Sequence, residues 1–105
     1  MGEEACGDAC VRQGKERAMD DPQLEQLDDN ALYELLSESR SHLGGLLLRQ
    51  ANDAEVKGED DMARLRIEEY RRIRHDYYSQ SVSDRKGQIA LIREWDRRAQ
   101  SIREA

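Results

Sequence analysis

Two cysteines are the most reactive side chains in this sequence. Cys6 and Cys10 are four residues apart, so on a helix their Cα atoms would lie roughly 6 Å apart, near the upper end of disulfide geometry. No histidine stands nearby to complete a zinc site, and the acidic surroundings do not favour a reactive thiolate. We interpret them as incidental thiols; a reversible or intersubunit disulfide and metal binding are the alternatives.

Two histidines lie at nearly equal distances along the sequence from Gly58. If the chain turns back at that glycine, His42 and His75 lie at similar heights in a helical hairpin. A catalytic or metal site would then need carboxylates beside them, such as Glu38 and Asp76. We adopt the simpler interpretation, in which both are partly exposed helix histidines with local partners.

A basic and aromatic cluster is centred on Arg71–His75, with tyrosines on both sides. Nucleic-acid binding would use the arginines on phosphates and the tyrosines as stacking surfaces. Glu68 and Glu69 dilute the positive potential, and the net charge of −6 repels a phosphate backbone. A nucleic-acid-associated accessory function is therefore the alternative hypothesis, and its candidate residues are Arg64, Arg71, Arg72, Arg74, Arg85 and Lys86.

Sequence motifs of the common enzyme classes are absent. There is no Gly-rich phosphate loop, no Gly-x-Ser-x-Gly and no His-Glu-x-x-His. Adjacent acids such as Asp28-Asp29 and Asp60-Asp61 stand where helices are expected to begin, and capping explains them there. We therefore predict no catalytic residue, no cofactor and no metal site.

Three apolar stripes at helical spacing form the framework that would position any site. Their residues recur at steps of three and four, which places each set on one face of an α-helix. The stripes are Leu32, Leu36, Leu43, Leu46, Leu47 and Ala51; Ala63, Ile67, Tyr70, Ile73 and Tyr77; and Ile89, Ile92, Trp95, Ala99 and Ile102.

The ends of the predicted helices follow from caps and breakers, and the helices cover about 29–56, 60–78 and 84–103. Asp28 is the expected N-cap of the first helix, and Lys57-Gly58 ends it. The stripe continues across Gly44-Gly45, so we predict one unbroken helix with the glycines next to a bulky neighbour. Ser81 or Ser83 is the expected cap of the third helix.

The sequence predicts an acidic tail and one helical domain. Residues 1–20 hold little apolar surface, so we expect a disordered or weakly helical, flexible tail, with residues 21–105 as the domain. The acidic start lacks a signal peptide's features, and no apolar run is long enough to span a membrane. These features predict a cytoplasmic protein without a membrane partner, and 14 Arg against 3 Lys favour a bacterial or phage source.

We therefore predict an all-α fold: an antiparallel helical hairpin plus a third helix, elongated and coiled-coil-like. A hairpin with two modest stripes is marginal as a monomer, which favours a homodimer. The predicted function is non-enzymatic protein–protein interaction, as an adaptor, regulator or inhibitor of an unidentified protein partner. Large apolar and aromatic residues are the interface candidates: Leu43, Leu47, Tyr70, Tyr77 and Trp95.

Overall fold

The computed structural model describes residues 22–104, and within that range it contains helices and no strand. After a 3-10 turn at Pro22–Gln26 come α1 (Asp29–Val56), α2 (Asp60–Ser79) and α3 (Arg85–Glu104). The predicted all-α hairpin with a third helix is confirmed. The predictions for the acidic tail, Cys6 and Cys10 included, concern residues outside the described range.

The first helix begins at the predicted cap and runs unbroken past both glycines. The Asp28 Oδ1 atom accepts a hydrogen bond of 2.8 Å from the backbone N–H of Ala31. Leu43 and Leu47 are fully buried on either side of Gly44-Gly45, so the stripe holds its register across the pair. Burial of this stripe outweighs the low helix propensity of two glycines, roughly 1 kcal/mol each relative to alanine.

The turn between α1 and α2 depends on Gly58, whose φ of +80° lies in the left-handed region. The backbone N–H groups of Gly58 and Glu59 donate to the carbonyl oxygens of Glu55 (3.0 Å) and Ala54 (2.8 Å), which closes the end of α1. The chain then returns antiparallel to α1. At the far end of the hairpin, the Tyr77 hydroxyl donates to that of Tyr33 over 2.8 Å.

The cap of α3 differs from the prediction. Asp84, rather than Ser81 or Ser83, accepts the hydrogen bond from the backbone N–H of Gly87, over 3.0 Å. A carboxylate also interacts favourably with the positive end of the helix dipole. The Ser81 hydroxyl is used inside the preceding turn, where it accepts from the backbone N–H of Ser83 over 3.2 Å.

The 3-10 turn is held against the helices by one apolar side chain, that of Leu24, and one charged side chain, that of Arg85. Leu24 is buried in the core. Arg85 donates to the carbonyl oxygen of Glu25 in the turn over 3.3 Å, and after the turn to the carbonyl oxygen of Leu27 over 2.5 Å and to the carboxylate of Asp29 over 2.6 Å. The start of α3 is thereby tied to the start of α1.

The core lies along α1, which packs against both other helices. It comprises Leu24, Leu32, Leu36, Leu43, Leu47, Ile73, Tyr77, Ile89, Ile92, Trp95 and Ala99. α3 runs beside the first half of α1, because Asp96 contacts Ser39 and Arg103 in its last turn contacts His42. α1 continues beyond that point to Val56, so within residues 22–104 no third helix lies beside the end of the hairpin. The molecule is flat, with extents of 47 × 39 × 17 Å.

Candidate interaction site

The five predicted interface residues lie in or against the core of the single chain. Leu43, Leu47 and Trp95 are at most 2% exposed, and Tyr77 is also buried. Tyr70 is half-buried, with its ring against Gly44. All five thus pack within one chain, and their contact with a partner stays a prediction.

The six basic residues of the alternative hypothesis are divided among different parts of the surface. Arg64 and Arg71 line one groove of the α1–α2 hairpin, whereas Arg72 lines a crevice beside α3. Arg74 lies near the rings of Tyr70 and Tyr78, at 5.9 and 5.6 Å from their centroids. Two more, Arg85 and Lys86, stand at the start of α3, where Arg85 is engaged by Asp29. The six do not form one continuous basic surface.

The two histidines have separate partners. His42 Nε2 lies 2.8 Å from Nη1 of Arg103 on α3, which donates to it, while His75 lies 3.5 Å from the Ser79 hydroxyl on its own helix. His75 has the local partner that the simpler interpretation predicts. The partner of His42 comes from another helix. Within residues 22–104, no group of three or more His, Cys, Asp or Glu side chains is arranged to hold a metal ion.

A crevice of about 380 Å³ separates α2 from α3. The Arg98 guanidinium crosses it and donates two hydrogen bonds to Glu69, at 2.7 and 3.0 Å. These bonds hold the pKa of Glu69 below its ordinary value, against the opposing effect of its burial. A bidentate pair of this kind fixes the spacing of the two helices, so the crevice has a structural role.

A cluster of tyrosines and arginines covers the end of the α1–α2 contact that lies away from the Gly58 turn. The Arg40 guanidinium lies 4.6 Å from the centroid of the Tyr77 ring and 6.0 Å from that of Tyr78. Both distances are within the range of cation–π attraction. The rings of Tyr77 and Tyr78 meet edge to face at 4.9 Å. These contacts join α1 to α2 and explain the tyrosines of the basic cluster as packing groups.

A groove of about 750 Å³ lies between α1 and α2 near their shared turn and is here called the hairpin groove. Its lining comes entirely from those two helices: Leu48, Ala51, Asn52, Glu55, Asp60, Ala63, Arg64, Ile67, Glu68 and Arg71. The floor is apolar and the rim carries charges of both signs. Leu48 forms part of this floor and remains 40% exposed.

Apolar exposure is concentrated around the same end of the hairpin. The described residues include seven large apolar side chains that are exposed, and four of them, Leu48, Val56, Met62 and Leu65, lie between positions 48 and 65. α3 does not reach this region, and of the four only Leu48 lines the hairpin groove. Exposed apolar surface with a polar rim is typical of a site that another molecule covers.

Sequence reasoning missed the hairpin groove although three of its residues, Ala51, Ala63 and Ile67, belong to the apolar stripes, because a stripe does not reveal which part of it stays uncovered. Leu48 lies beside the first stripe, and its neighbours Ala51 and Ala63 are small. One signal was present: Asp60, Arg64, Glu68 and Arg71 follow one another at helical spacing and so share a face.

The chain matches no protein-family model, and neither curated proteins nor solved structures yield a similar protein. None of the helices within residues 22–104 is long and apolar enough to cross a membrane.

Proposed function

We propose that this protein is a non-enzymatic interaction module that binds an α-helix of another polypeptide chain in the hairpin groove. The observation that carries the proposal is the uncovered apolar floor beyond the end of α3. Leu48 and half-buried Ile67 supply the large side chains of this floor, and two alanines between them allow a close approach.

A helix is the expected ligand because of the shape and chemistry of the groove. It runs between two adjacent antiparallel helices, so a third rod-like element fits along it and completes a helical bundle. Amphipathic helices bind in such grooves through apolar residues one turn apart. The charged rim residues would face the flanks of the incoming helix, where solvent still screens them.

The charged groups of the groove are exposed to solvent, which also agrees with the proposal. Asp60, Glu68 and Arg71 are exposed, and the ion pair of Arg64 with Asp61 is a surface contact of 3.1 Å. Such groups guide orientation and association rate more than they add affinity. The mixed signs of the rim give nucleic acid less support, because acids alternate there with arginines.

Site-specific photo-crosslinking tests this function. A photoreactive amino acid in place of Leu48 should give a covalent product heavier than one chain, in purified protein if the partner is a second copy and in lysate of the source organism if it is another protein. The matched control places it at Val82, which is 69% exposed and far along the chain from the groove. Products from neither position, or equally from both, would show that the groove is not a binding site.

A further inference from the structure

We infer that the helix bound in the hairpin groove is α2 of a second copy of this chain, lying antiparallel to the first about a two-fold axis. This inference rests on the proposed function and names its partner. The evidence is the order of charges on the α2 edge of the groove.

Four charged side chains line that edge: Asp60, Arg64, Glu68 and Arg71. Along the helix their signs alternate, beginning with an acid and ending with a base. Read in reverse, the series has the opposite sign at every place. An antiparallel second copy therefore sets Asp60 against Arg71 and Arg64 against Glu68, and the two-fold axis repeats both pairs. A parallel copy in the same register would set like charges together.

The spacing of the four residues fits this pairing. Asp60 and Arg71 are eleven residues apart, which is about 16 Å along a helix, and Arg64 and Glu68 lie between them, four residues from Asp60 and three from Arg71. The midpoints of the two pairs differ by only half a residue, so one two-fold axis, passing between the two α2 helices at the level of residue 66, relates both pairs. Around it, Ala63 and Ile67 of each copy meet over the apolar floor, and the small alanine lets the helices approach closely.

The outer of the two pairs joins Asp60 of one copy to Arg71 of the other, and both side chains are available for it. Asp60 and Arg71 are both exposed, and neither takes part in an ion pair among residues 22–104. The pair of Arg64 with Asp61 is exposed on both sides, at 65% and 95%, so little is lost when Arg64 turns towards another carboxylate.

A second copy places an opposite charge against each of the four charges on this edge. A uniformly acidic or basic helix would leave half of the four charges facing like charges, which opposes binding. An isologous interface instead presents each charge to its complement, as two-fold symmetry requires of a self-complementary surface.

Charge exchange at the outer pair tests the inference, with masses read by native mass spectrometry. We expect the wild type to be a dimer, and Asp60→Arg or Arg71→Glu alone to raise the dimer dissociation constant by about tenfold or more, because each sets two pairs of like charges together. An equimolar mixture of the two single variants should form a heterodimer as tight as the wild type. The double variant should also dimerise.

Arg72→Glu is the matched control, because it makes the same change of charge at the next residue but in the crevice beside α3. We expect it to dimerise like the wild type. Circular dichroism establishes that each variant is folded. Single variants that dimerise as tightly as the wild type, or a mixture that stays monomeric, would overturn the antiparallel pairing.

The failure of this inference is distinguishable from the failure of the proposed function. A monomeric wild type whose Leu48 probe crosslinks to a different protein would overturn the second copy and leave the interaction module standing. A monomeric wild type without any crosslinked product would overturn both.

Discussion

Two adjacent glycines at the centre of α1 have different surroundings. A Cβ atom added to Gly44 would lie 3.1 Å from Cε1 of the Tyr70 ring, whereas one added to Gly45 would meet nothing within 4 Å. Gly44 therefore allows Tyr70 to pack against the backbone of α1. Gly45 serves no such contact within the described chain.

This difference predicts the effects of two alanine substitutions. Gly45→Ala should raise the free energy of unfolding by about 1 kcal/mol, because alanine has the higher helix propensity and the space is open. Gly44→Ala should gain clearly less, because the Tyr70 ring must move by a few tenths of an ångström. Urea denaturation at one fixed protein concentration compares them. A larger gain for Gly44→Ala than for Gly45→Ala would contradict the close contact.

Single-residue signals predicted some positions well and others poorly. Gly58 was identifiable because few residues other than glycine adopt a positive φ, and Asp28 because a carboxylate precedes a clear apolar stripe. The α3 cap was not, because Ser81, Ser83 and Asp84 all have suitable side chains and local propensity does not choose among them. The choice depends on how the chain folds back after α2.

At the level of elements, the contact between α2 and α3 is sparse, and the Glu69–Arg98 pair is its main polar link. Glu69 is only 16% exposed, so its charge is poorly screened by solvent. Removing its charge leaves Arg98 without a carboxylate partner in the crevice. The pair should therefore affect stability more than a surface ion pair does.

The lowered pKa of Glu69 gives this link a pH dependence. A carboxyl group whose pKa falls on folding contributes stability above its ordinary value of 4.5, and that contribution is lost as the pH falls through the lower, folded value. Glu69→Gln should have a lower melting temperature than the wild type at neutral pH. As the pH is lowered, the melting temperature of this variant should fall less than that of the wild type. Thermal melts between about pH 7 and about pH 3 measure this, with Glu34→Gln on α1, exposed and outside the crevice, as control. Equal pH profiles for both variants would argue against the link.

The helices themselves were predictable because each carries its own apolar stripe and its own end signals. The groove was not, because it depends on where α3 stops beside α1. That position is set by long-range contacts such as Arg103 with His42, which no local pattern encodes. The predicted interface residues illustrate the same point: large apolar side chains suit a core and an interface equally, and Leu43 and Trp95 are in the core.

At the scale of the whole molecule, the flat shape follows from one long helix with two shorter partners at different positions along it. α3 completes the core over the first half of α1, and among the described residues only α2 lies beside the second half. A second copy packed on the hairpin groove would complete a four-helix arrangement at that end. Our proposals for binding and for self-association both depend on this open end.

Sedimentation equilibrium of the full chain tests self-association most directly, under reducing conditions that remove any disulfide through Cys6 or Cys10. If two copies bind through the hairpin groove, the wild-type mass at micromolar concentration is twice the 12.2 kDa of one chain. Ile67→Glu, which places a charge on the apolar floor, should sediment as a single folded chain. A wild-type mass of one chain throughout the micromolar range would contradict self-association through the groove.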